Sequence, residues 1–295
     1  MVAKVTVVIT HYNDERLFDC LKSLYKQTRA PDQVIIADGG SDPELKSRIM
    51  KEIRDKKNYR FALLKGRCID TRRKVIDSLV LNEKWIKNNY DTDIIAWIDS
   101  DEKAFNTWLE KLVAPIEKGE VDFAGGRIVA NYYETNASRI LCKIENKPKP
   151  DESYIAMGNS AWSTKIFKKI GSFDDSSITA QADKDNVLGS YHISDDYDIN
   201  LRALKDGFKG KIVDSVTFHN QSHIDTYTKV LKYFYGQYVR TAMAYFKHKE
   251  SVGKFSKASR NIKYPFELVL LLLKPIALIH GWKEWMILQK HIDIK

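Results

Sequence analysis

Two aspartates one residue apart, Asp99 and Asp101, follow directly on an apolar run in the stretch IAWIDSDE. Carboxylates at that spacing supply hard oxygen ligands, which suit Mg²⁺ or Mn²⁺ bound together with a diphosphate. The same residues also serve turns and helix N-caps, a role that needs no ligand. Asp38 stands before Gly39, Gly40 and Ser41 at the end of a second apolar run. It can accept hydrogen bonds from a base or a ribose, or close a turn whose glycines take positive φ. A third group, SDDYD (194–198), crowds three acids at the start of a helical pattern. Crowded carboxylates in a cleft raise one pKa toward that of a general base, and acids in a first turn also complement the helix dipole.

Strands must aim these acids. Residues 4–10 (KVTVVIT), 33–38 (QVIIAD), 59–64 (YRFALL) and 93–98 (DIIAWI) are the short apolar, β-branched runs of buried strands. Helical spacing separates them at 14–26, with Leu17, Leu21 and Leu24 on one stripe and Asn13 or Asp14 as cap, then at 44–56 and 69–88. Phe105, Leu109, Leu112, Val113 and Ile116 mark a further helix that Gly119 ends; a strand follows at 121–130. A polar loop is read near 145–153, and Tyr197, Leu201 and Leu204 mark a helix before Gly207. The alternation predicts a mostly parallel α/β sheet flanked by helices, which binds ligands beyond the C-terminal strand ends. Thr10-His11-Tyr12, Asp38 and Asp99-Ser100-Asp101 all fall at that edge.

The charge is unevenly placed. Residues 1–220 carry 35 basic and 34 acidic side chains, whereas 221–295 carry 13 and 5, so the excess of +9 sits almost wholly in the last quarter. That asymmetry points to an anionic partner, either a membrane surface or a nucleic acid. The stretch 264–282 (YPFELVLLLLKPIALIHGW) is the most apolar, but Glu267, Lys274 and Pro275 interrupt it. It reads as an interfacial helix flanked by Tyr264, Trp282 and Trp285 and preceded by the basic segment 247–263, with a core helix as the alternative. Three cysteines without paired spacing (Cys20, Cys68, Cys142) and a start lacking a secretory pattern suit a reducing, cytoplasmic compartment.

In order and spacing, VTVVITHYNDERLFDCLKSLYKQTRAPDQVIIADGGSDPE, GRCIDTRRKVI, IIAWIDSDE, GSFDD with SDDYDINLRALKDGFK, and VTFHN resemble the family 2 glycosyltransferases of the GT-A fold across residues 4–220. The resemblance implies a Rossmann-like GT-A catalytic domain at 1–220, with a nucleotide-sugar half at about 1–101 and an acceptor half at about 102–220. A basic helical region follows at 221–295. It implies nucleotide-pocket roles for Thr10 and Tyr12 and a base contact for Asp38, with Gly39 replacing the family's second acid. Arg72, in Thr71-Arg72-Arg73, matches a diphosphate contact. Asp99 and Asp101 match the Asp-X-Asp motif, toward ribose and metal and directly to metal, and Asp196 matches the catalytic base. His219 holds a strand-end position open to metal, diphosphate or a purely structural role.

The expected activity is metal-dependent (Mn²⁺ or Mg²⁺) and inverting, moving one sugar from a nucleoside-diphosphate sugar. UDP is favoured by family habit alone. The acceptor is a glycan or a polyprenyl-phosphate-linked one, and the protein is peripheral on the cytosolic membrane face. Processive relatives carry Gln-X-X-Arg-Trp; here Gln237 and Arg240 are followed by Thr241, which points to single-sugar transfer. No nucleic acid is expected. The alternatives are nucleic-acid binding through the basic tail and a GT-A-like domain that binds nucleotide sugar without turnover.

Overall fold

The computed structural model describes residues 3–82, 85–86, 91–147, 155–173, 194–248 and 265–292. The far end of the helix read at 69–88, most of the loop at 145–153, Asp174 and Asp175, and nearly all of the basic segment 247–263 with Tyr264 lie outside these residues. The chain forms two compact units. One comprises Met1–Asn131, Ser153–Asp174 and Arg202–Asn220; the other comprises Tyr132–Glu152, Asp175–Leu201 and Gln221–Lys295. Two internal segments, Tyr132–Glu152 and Asp175–Leu201, are grouped with the C-terminal segment in the second unit.

The first unit is an α/β layer structure built in the order β1 (Val5–His11), α1 (Leu17–Leu24), β2 (Gln33–Asp38), α2 (Pro43–Glu52), β3 (Tyr59–Leu63), α3 (Cys68–Leu79), β4 (Ile94–Asp99), β5 (Glu102–Ala104), α4 (Trp108–Glu117) and β6 (Phe123–Ala130). After α5 (Asn136–Glu145) of the second unit come β7 (Asn159–Ser163) and α6 (Thr164–Ile170), and β8 (Gly210–His219) closes the sheet. The strand order is β3-β2-β1-β4-β7-β6-β8-β5. Strands β3, β2, β1 and β4 run parallel, β7 is antiparallel to both β4 and β6, and β8 is parallel to β6.

Every residue of β1 and β2 is buried, because helices cover both sheet faces and leave no polar side. Val7, Ile9, Val34, Ile36, Ala96 and Ile98 face a cluster with Leu17, Leu21 and Leu24 of α1, Ile49 of α2 and Leu112 of α4. Their neighbours Val8, Ile35 and Trp97 are equally buried on the opposite face, as the two-residue strand period requires. There Trp97 meets the edge of Phe173. Asp42 caps α2 through a 2.9 Å bond from Leu45 N, with Pro43 at the first helical position. Gly119, at φ +70°, follows α4. That helix starts later than its spacing predicts. Trp108 holds the buried stripe, while Phe105 precedes the helix and is 53% exposed.

The second unit is helical. Thr135 caps α5 and Thr226 caps α8 (Tyr227–Lys247), which packs against α9 (Pro265–Ile292). Helix α9 runs unbroken through Pro275. Leu270 joins Val230 and Phe234 of α8 and Leu141 of α5, and Ala277 joins Val239 and Met243. Gly281 allows this approach, since a Cβ there would lie 2.6 Å from Ala242 Cβ and 2.9 Å from Val239 O. A buried chain of polar contacts crosses the pair, from Tyr235 Oη to His280 Nδ1 (2.9 Å) and from His280 Nε2 to Glu284 Oε1 (3.1 Å). Among the described residues no helix is long and apolar enough to cross a membrane.

Helix α7 (Asp195–Lys205) carries the SDDYD acids in its first turn. Its buried residues are Asp198, Ile199, Asn200 and Ala203, not the stripe of Tyr197, Leu201 and Leu204 read from spacing; Leu204 is exposed. Asp198 pairs with Lys247 and His248, each at 2.6 Å, which is why a charged residue takes the buried place. Gly207 follows at φ +86°.

Candidate active site

The parallel register sets the first contacts. Thr10 of β1 stands beside Asp99 of β4, and His11 beside Asp38 of β2, so two adjacent rows across the three strands end at the same edge. Thr10 Oγ1 donates to Asp99 Oδ1 at 2.5 Å, and Arg72 Nη2 donates to the same oxygen at 2.8 Å. Arg72 is nearly buried in the first turns of α3, whose start is fixed by Arg67 N donating to Asp70 Oδ2 (3.0 Å). A buried guanidinium with a carboxylate partner is a placed charge and not a solvated one.

The second acid meets a different strand. His219 ends β8, and its Nε2 lies 3.0 Å from Asp101 Oδ2. Burial lowers the imidazole pKa, but the hydrogen bond and charge of Asp101, with Glu102 and Asp99 nearby, outweigh it and raise it to about 9. For Asp101, burial works upward, yet His219 and the Arg16 charge leave its carboxyl below the usual range. Arg16 Nη2 lies 3.6 Å from Asp101 Oδ2.

Glu102 sits beneath this pair. It opposes His219 in the β5–β8 register, is 1% exposed, and its Oε2 has no hydrogen-bond partner. Burial, opposed by His219 and reinforced by Asp99 and Asp101, pushes its carboxyl well above the normal range. Gly158 is the neighbour that leaves room for it: a Cβ there would overlap Glu102 Oε1 and lie 2.9 Å from Asp99 Oδ2. The following residue, Asn159, is wholly buried, accepts from Trp108 Nε1 (2.8 Å) and donates to Arg127 O (3.0 Å). Sequence reading assigned no role to Arg16, Glu102, Gly158 or Asn159. The one signal available was that Glu102 adjoins the Asp-X-Asp pair, and its burial is not legible from that.

Tyr12 is largely exposed at the β1 end. Asp38 is fully buried and accepts from Gly40 N (3.1 Å), Ser41 N (2.9 Å) and Ser41 Oγ, so its present contacts are those of a turn, with Gly40 at φ +117°. Asp196 belongs to the second unit, in the first turn of α7, where its carbonyl accepts from Asn200 Nδ2 (2.7 Å). Thr10, Arg72 and Asp99 thus form one contact group, and Asp101, His219 and Arg16 a second.

Among the described residues no three His, Cys, Asp or Glu side chains form a ready cage. Asp101 Oδ2 and His219 Nε2 nevertheless converge, one hard oxygen and one imidazole nitrogen that suits Mn²⁺ once the ring gives up its proton. Asp99 Oδ1 is already engaged by Thr10 and Arg72. The residues therefore fit an ion that takes two protein ligands and completes its shell with diphosphate oxygens and water.

Residues 84–171 match the Glycosyl transferase family 2, a segment running from before β4 through α6. No curated protein matches the chain. Among solved structures, the mannosyltransferase PcManGT from Pyrobaculum calidifontis, in complex with GDP-Man and Mn²⁺, aligns at a TM-score of 0.56 and 14% identity over 96% of this chain and 74% of its own. Residues 1–349 of S. aureus TarS, in complex with UDP-GlcNAc, align at 0.55 and 14% over 97% and 81%. Another S. aureus TarS structure aligns at 0.52 and 15% over 86% of this chain, which spans only 44% of that one. At these identities the likeness is of fold: a mixed α/β sheet of mostly parallel strands flanked by helices, like GT-A glycosyltransferases. The family match and the fold together support a glycosyltransferase.

Proposed function

We propose that this chain is a metal-dependent, inverting glycosyltransferase that moves one sugar from a nucleoside-diphosphate sugar, UDP-linked by preference, to a lipid-linked or membrane-proximal glycan acceptor. The observation that carries the reading is the gathering of Thr10, Arg72 and Asp99, and of Asp101, His219 and Arg16, at the ends of β1, β4 and β8. Cations and carboxylates fixed together there suit a diphosphate and its counter-ion. Mn²⁺ or Mg²⁺ held by Asp101 and His219, with Asp99 beside them, would supply positive charge to the departing diphosphate.

In this reading Arg72 orients the diphosphate and, through Asp99, the ribose side of the donor. Tyr12 offers an exposed ring to the nucleotide, and Asp38 shapes the loop the base meets. The acceptor oxygen bonds to the anomeric carbon as the bond to the diphosphate breaks, and the electron pair leaves with the diphosphate. Attack from the opposite face inverts that carbon. Asp196 takes the acceptor proton when the acceptor is a hydroxyl. A phosphate acceptor is already ionised and needs no base. A cytoplasmic setting suits three cysteines without paired spacing.

The C-terminal helices support attachment to an anionic membrane surface. Val269, Leu272, Ile276, Ile279, Trp282 and Met286 follow at helical spacing and are all exposed, opposite the α9 residues packed on α8. An apolar stripe on a helix from the chain's basic quarter fits a lipid headgroup boundary better than a nucleic acid, which presents no apolar face of this length.

The reading is tested by incubating wild-type protein and Asp101→Ala with a panel of UDP- and GDP-sugars and Mn²⁺. Donor hydrolysis or transfer by the wild type, lost in Asp101→Ala, is the expected result. Binding of a donor without any turnover would leave only a nucleotide-sugar-binding domain. For the membrane, flotation with phosphatidylglycerol vesicles should carry the wild type and not a Leu272→Asp/Ile276→Asp/Ile279→Asp variant. Equal flotation of both would refute attachment through α9.

A further inference from the structure

We propose that Arg16 is a resident cation of the diphosphate site, holding Asp101 in place and competing with a divalent ion for it. The inference rests on the nucleotide-sugar reading above and deepens it by giving a role to a residue to which the sequence motifs assign none. Arg16 is anchored on three sides. Its Nε donates to Asp14 Oδ1 (2.8 Å), its Nη2 to Asp14 Oδ2 (2.6 Å), and its Nη1 to the carbonyl of Asn220. Asn220 N in turn donates to the carbonyl of Asp101 (3.0 Å). The entry to α1 is thereby tied to the end of β8, and the guanidinium is held 3.6 Å from Asp101 Oδ2, the oxygen that also faces His219 at 3.0 Å. Both side chains are largely shielded, at 25% and 16% exposure, so their interaction is only partly screened.

A fixed positive charge at that distance acts with opposite sign on the two things the site would bind. It attracts a diphosphate and opposes a second cation on Asp101. A purely structural clamp has no such sign: losing it disorders Asp101 and weakens both. Asp99, already engaged by Arg72 at 2.8 Å, does not take over the charge on Asp101. Arg16 therefore makes the metal-free site competent for nucleoside diphosphate and keeps the ion's grip on the protein weak until nucleotide arrives.

The test is calorimetric titration of wild type, Arg16→Gln and Arg16→Lys with Mn²⁺ alone, and with UDP and GDP in EDTA. Arg16→Gln is expected to bind Mn²⁺ roughly tenfold more tightly and the metal-free nucleotide roughly tenfold more weakly, as removal of one nearby charge dictates. Arg16→Lys, which keeps the charge without the bidentate clamp, should stay close to wild type in both. Parallel weakening of both ligands in Arg16→Gln, no change in either, or no Mn²⁺ binding to any of the three proteins overturns the role of Arg16. If the wild type binds UDP and GDP neither in EDTA nor with Mn²⁺, the glycosyltransferase reading itself fails, a result distinct from the others.

Discussion

Gly158→Ala isolates the packing beneath the candidate site. The Cβ it adds would overlap Glu102 Oε1 and stand 3.2 Å from Glu102 Cδ and 2.9 Å from Asp99 Oδ2. Glu102 is 1% exposed and has no open side to turn toward, so its carboxyl must retreat by roughly an ångström against packed neighbours. Overpacking of that kind costs about 1–3 kcal/mol. Asp99 is pushed away from Thr10 and Arg72, whose bonds to it measure 2.5 and 2.8 Å. Weakening a charge-assisted bond adds ~1 kcal/mol, for a total of about 2–4 kcal/mol. Displacement of Asp99 on this scale should also lower transfer by about 10²-fold. Urea denaturation measures the first quantity and donor turnover the second. Glu102→Ala on the Gly158→Ala background vacates the contested volume, so the double variant should be less destabilised than the two single losses added together. Wild-type stability and turnover in Gly158→Ala, or strict additivity in the double variant, would refute the reasoning.

Three further outcomes follow from the same contacts. Asn159→Leu leaves Trp108 Nε1 and Arg127 O without their partner and should cost about 2–4 kcal/mol in urea denaturation. Asp196→Asn should lose at least ~10²-fold in rate with a hydroxyl acceptor and little with a phosphate acceptor; turnover against both tells which acceptor class is native. In EDTA, the His219 ring should hold its proton to about pH 9, seen by NMR, and fall back in Asp101→Asn. Because its folded pKa is raised from 6.5, the stability this pair contributes is complete below about pH 6.5 and is lost as pH climbs through 9.

The two contact groups of the site divide its labour by distance along the chain. Thr10 and Asp99 meet through β-sheet register, which any parallel β1–β4 pair with these strand ends would produce. Asp101, His219 and Arg16 meet because β8 returns to pair with β5 just beyond the Asp-X-Asp turn. The second group therefore depends on both halves of the first unit folding correctly, and the first group does not.

What the sequence determined by itself was local: runs such as VTVVITH and IIAWID are almost continuously apolar or β-branched, as suits a strand buried on both faces, and their ends deliver Thr10 and Asp99 without further information. Helix stripes were legible for the same reason at Leu17, Leu21 and Leu24, and failed where burial did not follow spacing, as at exposed Phe105 and Leu204. The tertiary structure alone decided that β7 enters antiparallel between β4 and β6, that Glu102 lies buried beside the acids, that Asp38 is engaged by its own turn, and that Arg16 reaches Asp101 across 85 positions. Periodicity reports which way a side chain faces along its own element. It carries nothing about which distant charge will stand opposite, because that is set by the register and crossing of elements far apart in the chain.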